Sequence, residues 1–332
     1  MTQYIISIIL AVLLSACGQK ANQTQSSSKT SKSEKPDLTT PEFNADSAWH
    51  YTNTQVAFGP RVPNTPPHER CAEYLADKLE SFGAEIIIQE ASVTAFDNTR
   101  LNIKNIIGQF QPEKNQRILL YAHWDSRPFA DYDKDPTKRD TPIDGANDGA
   151  SGVGVLLEIA RHLSNNPTYP GIDIIFFDAE DYGQPDHRQL SYQPDTWCLG
   201  SQYWGKNPHK KNYYANYGIL LDMVGAQNAQ FYREQNSIQM APKIVDHIWN
   251  IAGETGYSSF FNYNKGGMIT DDHVYVYKYL QIPSVNIIQH DPTSVTNFGH
   301  YWHTHNDNME NVDKKTLKAV GQTVMEVIYR EK

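Results

Sequence analysis

The sequence predicts an α/β fold: three layers, with helices on both faces of a mixed, mostly parallel central sheet. Two observations carry this. Four short, continuous apolar runs are rich in β-branched and aromatic residues, and each ends in polar residues: Ile118–Ala122, Ile174–Phe177, Ile219–Leu221 and Val285–Ile288. Strands covered on both faces need runs of this kind. Segments with helical periodicity separate them, and alternation of strand and helix is the mark of parallel pairing.

The first helix is predicted over Pro67–Phe82, where Cys71, Leu75 and Leu79 recur at four-residue spacing and give one apolar stripe. The next three follow at Ala150–Leu163, Pro242–Thr255 and Lys314–Tyr329. Ligands bind outside the carboxyl ends of the strands in such a sheet. His123, Glu180, Asp181 and Asp222 follow three of the four apolar runs, so they are expected to converge on one rim. Two long polar connections, 127–147 and 182–196, leave from the same rim, and connections of that length in a compact domain usually carry function.

The chain has 332 residues, 29 Lys+Arg against 38 Asp+Glu, and a formal charge of −9. No clustered basic face is visible in the sequence, so nucleic acid is not an expected partner. The apolar stretch Tyr4–Leu14 falls short of the roughly 20 residues of a spanning helix. It ends in Leu14-Ser15-Ala16-Cys17, which looks like the lipobox of a bacterial lipoprotein. The expectation is therefore a signal peptide over residues 1–16 and a lipid on Cys17, with the protein exported and facing the periplasm or cell surface.

Residues 17–46 are rich in Ser, Thr, Gln and Lys and poor in large apolar side chains, which reads as a flexible tether. Residues 47–332 then form a single catalytic domain, expected to be a monomer. Cys71 and Cys198 remain; the exported compartment permits a disulfide, and two buried thiols fit equally.

Asp148 precedes the helical run from Ala150, and His303 lies in the loop Tyr301-Trp302-His303-Thr304-His305. With His123, Asp181 and Asp222 they make a set of nitrogen and oxygen donors with no thiolate, which suits a catalytic Zn²⁺ with an open coordination position. Carboxylates gathered at one rim would repel one another unless a cation neutralised them. Glu180 stands beside Asp181, so one carboxylate can ligate metal while its neighbour stays free as a general acid/base.

From Ser47 onward the motifs resemble the zinc-dependent exopeptidase fold and, within it, the glutaminyl-peptide cyclotransferases. They are Gly59-Pro-Arg-Val-Pro63, His123-Trp-Asp125, Asn147-Asp-Gly-Ala-Ser-Gly152, Phe177-Asp-Ala-Glu-Asp181, Leu221-Asp-Met-Val-Gly225 and Trp302-His-Thr304. Aminopeptidases of this fold keep five ligands for two zinc ions, and all five residue types are present.

Two features resemble the cyclase branch: Asp271-Asp272-His273, where the peptidases usually show Ser-Asp-His, and Trp302 before the last zinc histidine. The resemblance implies one zinc on Asp148, Asp181 and His303, Glu180 as acid/base, Asp271 as a second acid near the leaving group, and Trp302 as a pocket wall. The substrate implied is a peptide or protein with an N-terminal glutamine.

Asp181 stands where animal cyclases have Glu, and Asn286 where they place a histidine in the network around the catalytic Asp. The alternatives are a two-zinc aminopeptidase with His123 and Asp222 on the second ion, and an inactive binding module of the same fold.

Overall fold

The computed structural model describes residues 37–332. The expected signal peptide, Cys17 and most of the tether lie outside them. Six strands form the central sheet in the order β1-β2-β4-β3-β5-β8: β1 (Glu85–Thr94), β2 (Arg100–Phe110), β3 (Arg117–His123), β4 (Gly171–Phe177), β5 (Tyr217–Asp222) and β8 (Ser284–Ile288). The four strands β4, β3, β5 and β8 are parallel, and β1 and β2 extend the sheet as an antiparallel hairpin. A parallel pair, β6 (Phe231–Arg233) and β7 (Phe261–Lys265), stands apart.

Alternate residues of the parallel strands face opposite layers. Ile118, Leu120, Ile174 and Leu221 pack into one core with α2 (Pro66–Ser81), α3 (Ala150–Leu163), α6 (Pro242–Glu254) and α8 (Lys314–Arg330). Leu119, Tyr121, Ile175 and Phe177 pack into the other with Trp204 of α4 (Leu199–Lys206) and Val276 of α7 (Asp272–Leu280). This is the predicted three-layer arrangement. The short α5 (Gln235–Met240) precedes α6, and α1 (Ala45–Ala57) packs on α3 and α8.

The four predicted helices start and stop within one residue of the expected bounds. The hairpin β1–β2, α1, α4 and α7 were not expected. β1 alternates half-buried and exposed residues along an edge, so it lacks the apolar run that marked the central strands.

The folded unit also starts earlier than the expected boundary at Ser47. Phe43 is 2% exposed and packs on α8, and its N–H donates to Gln322 at 2.8 Å. Burial of this one large apolar side chain inside a polar stretch fastens the chain to α8 ahead of Asp46.

Close packing of α3 on β5 places the site. A Cβ on Gly152 would meet the Leu221 carbonyl oxygen at 2.1 Å, so only glycine lets the helix approach. Gly149, at φ +96°, would bring a Cβ to 2.6 Å from the Asp125 carbonyl oxygen. Its left-handed turn sets Asp148 against the end of β3.

Candidate metal centre and active site

The carboxyl ends of β3, β4 and β5 deliver His123, the 178–181 turn and Asp222 to one rim, as expected. Backbone in the left-handed region occurs at Ala179 (φ 49°), Met223 (φ 49°) and His303 (φ 54°), each at or next to a residue of the site. Strain in non-glycine residues is retained only where surrounding contacts over-determine it, and it clusters at functional sites.

Two groups of donors form around Asp148. Its Oδ1 lies 3.0 Å from His123 Nε2, which is 3.2 Å from Asp222 Oδ1. Its Oδ2 lies 3.6 Å from His303 Nε2, which is 3.4 Å from Asp181 Oδ1. All five residues are buried.

Ligands about 2.0–2.1 Å from a tetrahedral ion stand roughly 3.3 Å apart, so the Asp148–Asp181–His303 spacings fit a small divalent ion. The Asp181 carboxyl is raised from its usual value by burial and by the charge of Asp148, and its Oδ2 is buried without a hydrogen-bond partner. A cation there would relieve both. The donor set therefore fits a divalent metal.

Neighbouring groups hold these side chains in place. Asp125 accepts the N–H groups of Glu180 and Asp181, both at 3.1 Å. Asp307 accepts those of Asn147 and Asp148 at 2.8 and 3.0 Å. Arg61, from the Gly59–Pro63 motif, donates to the carbonyls of Trp124 and Gly145 and so ties the Asp148 loop to β3. The buried Arg127 pairs with both oxygens of Asp131 at 2.7 Å, and Asp131 lies 3.2 Å from His303 Nδ1. That carboxylate lies on the Nδ1 side of the imidazole, and Nε2 faces Asp148 and Asp181.

Glu180 and Asp271 are not in either metal group. With Cys198 they form a third cluster, whose donor atoms all lie within 4.8 Å of one another. Burial, together with the charges of Asp271 and Asp181 and against the influence of His123, holds the Glu180 carboxyl well above its usual range. Asp271 caps α7 and is fixed by the Asp272 N–H and by Asn286 Nδ2, both at 2.6 Å. Asn286, the departure noted in the sequence, thus holds Asp271 directly.

Glu180 and Asp271 line, with Asp148, Asp181, Asp222 and His303, a cavity of about 200 Å³ walled by Trp197, Trp302, Phe298 and Ile269. Trp302 stacks on His303 at 3.6 Å between centroids, and Trp197 lies parallel to the same imidazole at 5.9 Å. His303 therefore has two indoles near-parallel to its ring. Trp204 and Trp249 are fully buried in the core. Cys71 and Cys198 are both buried free thiols, so no disulfide joins them.

Every residue read as a site candidate reaches this rim. The roles of Asp131, Asp307 and Cys198 were missed. Asp131 and Asp307 lie in irregular loops with no periodicity to betray them, and Cys198 was weighed only as a disulfide partner or a buried free thiol.

The sequence pattern of Peptidase family M28 matches residues 105–328. The chain belongs to that family. Among solved structures, a zinc-dependent exopeptidase from Parabacteroides distasonis is 58% identical to this M28 chain, with TM-score 0.87, over 88% of this chain and 100% of that one. Tannerella forsythia glutaminyl cyclase is 56% identical, with TM-score 0.87, over the same shares. A leucine aminopeptidase precursor from Bacteroides thetaiotaomicron is 51% identical, with TM-score 0.86, over 89% of this chain and 100% of its own. The M28 chain thus has the zinc-exopeptidase fold of the bacterial glutaminyl cyclases.

Proposed function

We propose that the chain is a zinc-dependent glutaminyl-peptide cyclotransferase, which closes the N-terminal glutamine of a peptide or protein to pyroglutamate and releases ammonia. The observation that carries this is the pairing of Glu180 with Asp271 across a small aromatic-walled pocket, beside a metal set that uses neither of them. The 56% identity to a glutaminyl cyclase supports it.

Asp148, Asp181 and His303 would hold the zinc, which supplies Lewis-acid polarisation of the γ-carbonyl of the substrate. The nucleophile is the α-amine of the same glutamine, so positioning does much of the work. Trp302, Trp197 and Phe298 hold the side chain and keep water from competing for the carbonyl carbon.

Glu180 accepts a proton from the α-amine as the new C–N bond forms. It returns that proton to the amide nitrogen as the old C–N bond breaks. Asp271, fixed by Asn286, hydrogen-bonds the departing ammonia.

A second reading is hydrolysis by a two-zinc aminopeptidase. It is favoured by the His123–Asp148–Asp222 group, which would hold a second ion, and by the likeness to the aminopeptidase precursor. One zinc per chain with pyroglutamate and ammonia from a Gln-peptide supports cyclisation. Two zincs with free amino acids support hydrolysis. No residue of the metal set is missing, which speaks against an inactive binding module.

The protein acts as a monomer exported to the cell envelope, held there by a lipid on Cys17. Cys17→Ala, followed by fractionation, tests the anchor: release of the protein from membranes is the expected result.

A further inference from the structure

The reaction pocket adjoins a second hollow. Trp197 and Thr270 line both, and the second, of about 490 Å³, lies between the 184–196 connection and Tyr275 of α7. An extended peptide advances about 3.3–3.6 Å per residue, so the residues that follow a glutamine seated in the first cavity are within reach of this groove past the shared wall of Trp197 and Thr270.

Its chemistry is one-sided. Asp186 and Asp195 line it, and no Lys, Arg or His does. Asp195 accepts from the Tyr275 hydroxyl at 2.8 Å and has Lys278 at 3.4 Å. Asp186 accepts from the Tyr132 hydroxyl at 2.6 Å and has no cation paired to it within the described residues.

The nearest cations in sequence are turned elsewhere. Arg188 pairs with Asp140 at 2.7 Å and lies over Phe129 at 4.4 Å, and His187 pairs with the same Asp140. Beside the carboxylates, Tyr192 is 85% exposed and Leu190 45% exposed. Exposed apolar and aromatic surface next to an acid suits a long side chain with a methylene stem and a cationic head.

We propose that this groove binds the second and third residues of the substrate peptide and favours lysine or arginine there over acidic residues. The inference rests on the cyclotransferase reading, which places a peptide N-terminus in the adjoining pocket. Acidic side chains at those positions would meet Asp186 and the carboxylate-rich rim.

The test is kcat/KM of the full chain, loaded with zinc, on three peptide series with blocked C-termini: Gln-Arg, Gln-Ala and Gln-Glu at the second residue, and the same substitutions at the third. One exposed ion pair with a ring contact is expected to favour the basic over the alanine peptide by about 3- to 10-fold. The acidic peptide should be slowest, and salt should compress the differences. In Asp186→Asn, and separately in Asp195→Asn, the basic-to-alanine ratio should fall toward one. Because the readout is a ratio within one variant, a loss of folded protein does not mimic it.

Equal turnover of all three series, or a ratio unchanged in both variants, overturns the groove assignment while leaving cyclisation standing. Turnover of none of the peptides overturns the cyclotransferase reading, and this proposal with it.

Discussion

The thiol of Cys198 lies 3.1 Å from Oε1 of Glu180, and the Cys198 N–H donates to the Glu180 carbonyl at 2.9 Å. The two contacts hold both ends of the residue read as the acid/base. Burial, and the negative charge of Glu180, push the thiol well above its usual value, so it stays a neutral donor.

Glu180→Gln should lower kcat by about 10²–10⁴-fold, the usual worth of a general acid/base, with bound zinc unchanged by elemental analysis. Cys198→Ala should lower kcat by about 3- to 10-fold, one hydrogen bond's worth, with KM little changed. Cys198→Ser, which keeps a donor, should recover most of it. Full activity in Glu180→Gln would remove the acid/base assignment.

Asp148→Ala and His303→Ala should lose zinc and activity together, because each removes a donor from a set whose atoms lie within 4.8 Å of one another. A chelator should silence the native enzyme, and added Zn²⁺ should restore it. His123→Ala separates the two metal counts. One equivalent of zinc both before and after this substitution fits the mononuclear site, whereas a fall from two to one fits the dinuclear one.

Asn286→Leu strips Asp271 of the donor at 2.6 Å. The expected result is a loss of about tenfold in kcat, in line with a hydrogen bond to a charged group. Asn286→His, the residue of the animal cyclases, should keep more activity than Asn286→Leu. Equal rates in the two variants would show that this contact does not position Asp271.

Glu234 offers a stability test away from the metal. Burial raises its carboxyl, but the contact with His273 at 3.1 Å and the N–H groups of Ser237 and Ile269 lower it to about 2. A depressed carboxylate stabilises the fold above its ordinary value of 4.5 and loses that contribution as pH falls toward about 2.

The contribution at neutral pH is on the order of 3 kcal/mol. Glu234→Gln should lower Tm at pH 7 and flatten its fall between about pH 4.5 and 2. An acid limb as steep as in the native chain would count against this linkage. Since Glu234 accepts from Ile269, the same substitution loosens one wall of the pocket.

The central strands could be read from the chain because both of their faces are covered: Ile118–Ala122 and Ile174–Phe177 have no polar interruption. The edge strand β1 could not, since it faces solvent with part of its surface and its pattern blurs into that of a loop; β2 lies inside the sheet, but the buried polar residues Asn105 and Gln109 interrupt its apolar run. Phe43 was passed over for a related reason, as one apolar residue in a polar stretch has no period.

His123, Glu180, Asp181 and Asp222 were legible as a group because strand ends in a parallel sheet share one rim. Asp148 and His303 joined that set by residue type alone, whereas Asp271 was placed through resemblance to known motifs. The near-parallel approach of Trp197 to His303 had no local sign.

By itself, then, the sequence determined the layers, the rim and the chemical types gathered on it, since these follow from hydrophobic period and chain direction, which are local properties. Only the tertiary structure decided which donors lie within reach of one ion, that Cys198 rests on Glu180 rather than on Cys71, and that Asn286 holds Asp271. Those are distances between residues tens to hundreds of positions apart, and they exist only once packing has closed the loops over the sheet.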